Sequence, residues 1–353
     1  MSRIIKVGIV GLGRAGIGMH SSELAEYPDR FAIAAACDHA KERLENLPER
    51  FKGAKLYTDY SEMLQDDNVE LVSIATRHPE HVPMALQALE AGKYVNIDKP
   101  YALNNREMAQ LAEADKKYPG RIFLRHNRRY EAPFQKAMKL IATRVLGEIN
   151  TVKLYRSVGY CRRNDWMTMT EFGGGLFTNW GPHIIDQALQ YLDSPVVDLW
   201  ANIRSIISIG DGDDHIKLLL KAANGRVADI EISGAHTLPG RELEIQGSRG
   251  TLIYPVDGRI KMRYVDPEIE FKPLEPHPEN PPMKYGNFDE TLTFIEQFVE
   301  IPPIPMSEIW KHVYDAIVNK VPYPITIENG IAVTDIMEKA FRKSNFKPAE
   351  RFF

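Results

Sequence analysis

Asn179, His183 and Asp186 stand four and three residues apart in the stretch GGGLFTNWGPHIIDQ, residues 173–187. That spacing puts an amide, an imidazole and a carboxylate on one face of a helix entered through three glycines. Such a face could hold a hydroxyl group and move its proton, with the imidazole as general acid or base. A structural reading competes with this one, because a histidine among apolar neighbours is commonly a hydrogen-bonded core residue. Asp186 could orient the imidazole or serve the helix alone, and the second role is favoured.

A different chemistry is written near the N-terminus. Gly11, Gly13 and Gly16 form Gly-Leu-Gly-Arg-Ala-Gly directly after the apolar run Ile4–Val10. Gly11 permits a tight turn, Gly13 lets a pyrophosphate approach the backbone, and Gly16 lets helix and strand pack closely. Arg14 and Ala15 complete the loop, and the helix that follows offers free N–H groups and its positive dipole end to phosphate. An acid, Asp38, closes the next apolar run, FAIAAAC, 22 residues after Gly16. It would bond the adenosine ribose hydroxyls and repel a 2′-phosphate, which favours NAD over NADP. Its structural alternative is to cap the helix HAKERLENL.

The elements that position these groups change character along the chain. Continuous apolar runs at Ile4–Val10, Phe31–Cys37, Leu71–Ala75, Tyr94–Ile97 and Ile122–Leu124 alternate with helical patterns, which indicates a parallel sheet covered on both faces. Asn104 and Glu107 mark one helix start. From about residue 126 the pattern becomes a helix over Pro133–Thr143, then alternating strands (INTVKLYRSVGY, VVDLWANIRSI, HIKLLLKAA, RVADIEISGA, ELEIQGS, GTLIYPV) parted by turn signals. The six prolines of residues 266–286 suit an irregular surface excursion, and helices are expected at Asp289–Glu300, Ser307–Asn319 and Asn329–Lys343. The fold class is α/β: a dinucleotide-binding Rossmann domain at 1–125 and an α+β domain at 126–353. The second domain carries a large open, mostly antiparallel sheet for substrate binding and oligomerisation.

Composition narrows the function. The 353 residues carry a net charge of −4 and 44% hydrophobic side chains. That balance gives no case for nucleic-acid or membrane binding. Two cysteines, Cys37 and Cys161, indicate neither a disulfide framework nor a thiolate metal site. The ten histidines show no metal-ligand spacing such as H-E-x-x-H, so no metal is expected. The first apolar run is too short for a signal peptide, and a cytoplasmic location is expected.

Several blocks together resemble one family, the glucose–fructose oxidoreductase / inositol dehydrogenase group (Gfo/Idh/MocA). They are GLGRAG at 11–16, IATRHPEH at 74–81, ALEAGKYVNIDKP at 88–100, RHNRRYEAPFQKAMKLI at 125–141 and DWMTMTEFGGGLFTNWGPHIIDQALQYL at 165–192. The resemblance implies NAD(P)-dependent oxidation or reduction of a sugar, inositol or related polyol at a secondary carbinol. It sets Lys99 on the family's catalytic lysine and His183 on its catalytic histidine. The family's acid four residues before that histidine is Asn179 here, and the acid of its Glu-Lys-Pro is Asp98.

Physical placement agrees with the carry-over. Lys99 follows a strand end, where ligands bind in open α/β sheets, and a cation nearby would lower its pKa enough to share a proton with a hydroxyl. A cis Lys99–Pro100 bond would aim it into the cleft. The proton is expected to pass to His183 while Lys99 holds the oxygen and Asn179 holds a substrate hydroxyl. Thr76, Arg77, His78 and His81 follow the fourth strand, where the nicotinamide ribose would lie. Arg162, Asp165 and Trp166 form the loop expected to bind substrate, with Arg128, Arg156 and Tyr160 as weaker candidates. The expected protein is a homodimer or homotetramer acting on a small polyol, sugar or glycoside. Two alternatives stand beside it: a glycosidase using transient oxidation by bound NAD, and a non-catalytic NAD-binding sensor.

Overall fold

The computed structural model describes residues 3–238, 240–279, 281 and 291–353. Six strands form the first sheet: β1 (Ile5–Val10), β2 (Phe31–Cys37), β3 (Lys55–Tyr57), β4 (Leu71–Ile74), β5 (Tyr94–Ile97) and β6 (Ile122–Leu124). All pair in parallel, in the order β3-β2-β1-β4-β5-β6. The order reverses between β1 and β4, and the crevice outside the carboxyl ends of those strands is where such sheets bind ligands. β4 is buried at every position, as a strand covered by helices on both faces must be. Asn104 caps the helix Asn105–Lys117 by accepting the Glu107 N–H at 2.8 Å.

The second sheet contains β7 (Ile149–Ser157), β8 (Val196–Arg204), β9 (His215–Ala222), β10 (Val227–Ser233), β11 (Leu243–Gly247), β12 (Gly250–Val256), β13 (Arg259–Val265) and β14 (Phe294–Val299). Their order is β14-β13-β12-β11-β7-β10-β9-β8. Seven neighbouring pairs include one parallel pair, β7 with β10, so the sheet is mostly antiparallel but not a simple meander. The helix Leu176–Leu192 covers one face, with Phe177, Ile184, Ile185 and Ala188 in its core.

One expected helix is a strand. Residues 289 and 290 lie outside the described residues, but Phe294–Val299 pairs antiparallel with β13 from Ile260↔Val299 to Val265↔Phe294. The sequence FIEQFV satisfies both periods over so short a span, and the open edge of β13 decides between them. Of the proline-rich excursion, residues 266–279 form no helix or strand, while 280 and 282–286 lie outside the described residues. All strands of the first sheet precede residue 125 and all of the second follow 148, yet the cores divide less simply. The late helix Glu308–Tyr314 returns to the first domain, where Ile309, Trp310, Val313, Ile317 and Ile325 join its apolar cluster. Among the described residues no helix is long and apolar enough to cross a membrane.

Candidate active site

A cleft of about 770 Å³ lies between the carboxyl edge of the first sheet and the start of the helix Leu176–Leu192. It gathers most of the residues singled out in the sequence: Gly11, Gly13, Arg14, Ala15, Asp38, Thr76, His78, His81, Lys99, Asp165, Trp166, Asn179 and His183 all line it. Gly16 does not. A Cβ there would sit 2.0 Å from the Gly11 carbonyl oxygen, so its role is the close helix–strand packing. Arg162 is exposed and absent from the wall, which its neighbour Arg163 lines instead. Tyr160 is 60% exposed and also lies outside.

The glycine-loop end fits a dinucleotide. Apart from Gly13 itself and its neighbouring chain, no atom of the described residues lies within 4 Å of where a Gly13 Cβ would stand, which leaves the open approach that a pyrophosphate needs. Asp38 is 3% exposed, accepts the Leu12 N–H at 2.8 Å and the Ala40 N–H at 3.0 Å, and meets Arg43 at 3.2 Å. Burial works to raise its pKa, but these donors outweigh burial and hold it below the usual carboxylate range. It is therefore both the cap of the following turn and a fixed anion in the cleft.

Two histidines of this end are structural pins. His78 donates Nδ1–H to the Gly173 carbonyl at 2.7 Å, which ties the first domain to the glycines of the second. His81 donates Nδ1–H to the Pro100 carbonyl at 2.8 Å, beside Lys99. Burial pushes both pKa values down, that of His78 to about 3 with help from His81 and Lys99, so both rings are neutral at physiological pH.

Lys99 leaves the end of β5 through a cis bond to Pro100. Its Nζ donates to the Asn179 carbonyl at 2.8 Å and to Asn179 Oδ1 at 2.9 Å, and so bridges the domains. Burial lowers its pKa to about 8; Asp98 opposes this, while Arg128, Arg125 and Arg14 add to it. Asp98 is turned away from the ammonium and held from behind. It accepts the Lys99 N–H at 2.9 Å and Arg125 at 3.4 Å, and lies 3.5 Å from His20 Nε2. Arg125 in turn forks onto Glu23 at 2.5 and 2.7 Å, and the Trp310 indole N–H donates to Glu23 at 2.8 Å. Asp98, Arg125, Glu23 and Trp310 are each at least nine-tenths buried.

His183 is 5% exposed, and its Nδ1 is buried without a hydrogen-bond partner among the described residues. Burial first, then Lys99, Arg128 and His126, hold its pKa well below the ordinary histidine value. An imidazolium here would be both desolvated and surrounded by cations. These electrostatics favour a different division of labour from the one read in the sequence, with Lys99 the readier proton acceptor. Asp186 does not orient His183: its two oxygens take Arg129 at 2.7 and 2.6 Å, the structural role.

The helix bearing Asn179 and His183 is capped from outside. Asp213 Oδ2 accepts the Phe177 N–H at 2.7 Å and its carbonyl accepts the Leu176 N–H at 2.8 Å. Gly175 makes room, with φ of +120° and a would-be Cβ 2.3 Å from Asp213 Oδ1. Asp165 caps the turn Trp166–Thr168 by accepting the Met167 N–H at 3.0 Å, and the Trp166 ring meets His78 edge-on at 5.1 Å.

Sequence reasoning missed Trp180, which lies in the cleft wall between two guanidiniums, Arg128 at 4.2 Å and Arg156 at 4.9 Å. Its position three residues before His183 was the available signal. Burial and Arg156 pull Arg128 down to about 10. His126, buried 3.6 Å from Asp186, was likewise not singled out.

Residues 5–126 match the oxidoreductase family with an NAD-binding Rossmann fold, and residues 134–253 match the GFO/IDH/MocA C-terminal domain. Over 352 residues the chain is 26% identical to a scyllo-inositol 2-dehydrogenase (NADP(+)), IolW, of Bacillus subtilis, covering 97% of this chain and 94% of the relative. An NAD-binding protein from Listeria innocua superposes with a TM-score of 0.82 at 23% identity, covering 97% and 98% of the two chains. GenD2 from gentamicin A biosynthesis, solved in complex with NAD, gives 0.77 at 25% identity, covering 97% and 95%. With both domain matches in register along one chain, the protein belongs to the GFO/IDH/MocA oxidoreductase family and is NAD-binding.

Proposed function

We propose that the protein is an NAD-dependent dehydrogenase acting at a secondary carbinol of a sugar, inositol or glycoside. The observation that carries this reading is the contact of Lys99 with Asn179, made across the domains in the same cleft that His183 and the glycine loop line. A dinucleotide held by the glycine loop and Asp38 would supply the hydride acceptor for the carbinol carbon, which leaves the hydroxyl proton to the protein. Lys99 is the acceptor. With a pKa of about 8, roughly a tenth of its amines are neutral at pH 7, and the acceptor's pKa lies close to working pH. His183, kept neutral, hydrogen-bonds the same oxygen. Asn179 holds Lys99 through its oxygens, and its side-chain N–H groups remain to bind a neighbouring hydroxyl. Hydride and proton together account for the two hydrogens lost as the carbinol becomes a carbonyl.

Asp38 supports a preference for NAD, since a second anion at the ribose 2′ position would meet a buried carboxylate. Arg43 beside it and the NADP(+) in the name of IolW are the observations against. The test is a panel of inositols, hexoses and glycosides scored for NADH formation, with products identified by NMR. Carbonyl product in step with NADH is expected. Glycoside cleavage without net NADH would replace the reading with the transient-oxidation glycosidase, and NAD binding without any turnover would replace it with the sensor.

A further inference from the structure

A second cavity of about 230 Å³ opens off the cleft. Five residues line both spaces and so form the throat between them: Arg14, Arg163, Met167, Asn179 and Trp180. Two of the five are guanidinium groups and none is an acid.

The positive charge at this throat is not fully matched. Arg14 is exposed and pairs with no carboxylate among the described residues. Arg163 meets Asp165 through Nε at 3.2 Å and Nη2 at 2.7 Å, which leaves the Nη1 side of its planar fork free for a second anion. The acids that line the side cavity are bonded to backbone N–H groups, apart from Asp213 Oδ1, which is buried without a hydrogen-bond partner among the described residues. Asp214 spends both oxygens on the Ile206 and Ile207 N–H groups at 2.7 Å. Asp213 caps Phe177, and burial pushes its carboxyl up to about 7, so it carries only part of a charge. On the cleft side, Lys99 donates among the described residues only to the neutral oxygens of Asn179. Burial and the surrounding arginines hold Lys99 and Arg128 below their ordinary pKa values, as expected where positive potential is unrelieved.

We propose that the side cavity receives a carboxylate carried by the substrate, clamped by Arg163 at the throat, so that the molecule oxidised is an acidic sugar or polyol. This rests on the dehydrogenase reading and names its substrate class. The carbinol sits at Lys99 and His183, and the acid arm passes Trp180 at the throat. Arg14 heads the helix that would face a cofactor pyrophosphate, so Arg163 is the arginine whose loss isolates the effect.

The test compares hexuronates and aldonates with their neutral parent sugars. Binding is measured by calorimetry on the protein loaded with NADH, and oxidation separately by NADH formation with NAD. The acids are expected to bind and react at least tenfold better than their parents. Arg163→Gln should cut the acid-to-neutral ratio by about tenfold to a hundredfold, the range for a lost hydrogen bond to a charged group. Arg163→Lys should restore part of it, and added salt should narrow it. No acid preference in binding, or an Arg163→Gln loss equal for acid and neutral sugars, overturns the proposal. Acid-selective binding without oxidation supports the cavity assignment and counts against the dehydrogenase reading alone. Oxidation of neutral sugars without acid preference does the reverse.

Discussion

Asn179→Asp places a carboxylate where an amide oxygen now accepts from Lys99 at 2.9 Å. At an effective dielectric of about 20, opposite charges at that separation attract by about 6 kcal/mol. Burying the new carboxylate offsets much of this, and opposite charges this close shift a pKa by about 1–3 units in practice. Lys99 should therefore titrate roughly 1–3 units above its present value of about 8. The neutral amine is the proton acceptor, so its share at pH 7 falls about tenfold to a thousandfold, and kcat/KM for oxidation falls with it. The assay is the pH profile of kcat/KM on whichever polyol proves active, at constant ionic strength. Wild type should rise with pH to a plateau above about 8, and the variant's rise should move up by the same 1–3 units, to a lower plateau because the amide N–H donors are lost. A limb that stays near 8, or a variant faster than wild type at pH 7, would refute the reasoning; in the second case the carboxylate itself takes the proton.

Other outcomes follow from the same geometry. Wild type should bind NAD more tightly than NADP by calorimetry, and Asp38→Ser, which can still cap Ala40, should narrow the gap; equal affinities in wild type would remove Asp38 from cofactor choice. Asp213 titrates at about 7 folded against 3.8 in an ordinary environment, so the folded state holds its proton more firmly and stability declines as pH rises through that window. Asp213→Asn should therefore gain on wild type in unfolding free energy, measured by urea denaturation, between pH 4 and 7, by on the order of 4 kcal/mol at most, and a pH-independent difference would contradict the burial argument. Trp310→Phe removes one donor from Glu23 and should cost about 1–3 kcal/mol in urea unfolding. Arg125→Met strands Glu23 and Asp98 and should cost about 3–5 kcal/mol; equal costs for the two variants would mean the buried network is not held by its arginine.

The parts of this site that were legible in the sequence are those set by local order. The glycine loop, Asp38 and Lys99 each follow the end of an apolar strand run, and an open parallel sheet gathers such ends along one edge, while His183 was marked by its helical spacing from Asn179. What the sequence hid depends on distant chain. Trp310 reaches Glu23 across 287 residues, and nothing local to either marks the pairing. Arg162 and Arg163 are adjacent and alike. Only the backbone path into the Asp165-capped turn determines which of them faces the cleft. The pKa order of Lys99 and His183 likewise comes from burial and from cations brought in by distant segments, Arg14 from the glycine loop and Arg125 and Arg128 from the stretch after β6. Phe294–Val299 became a strand because β13 offered an unpaired edge, which the six residues themselves do not show.

The most direct test of the central claim follows one hydrogen. A substrate deuterated at its carbinol carbon is incubated with NAD and the protein, and the cofactor and product are examined by NMR. The account predicts deuterium at the nicotinamide C4 in one-to-one ratio with carbonyl product, with the transfer reduced more than a hundredfold in Lys99→Ala. Deuterium that stays in the product or appears only in water, with no labelled NADH, would contradict it.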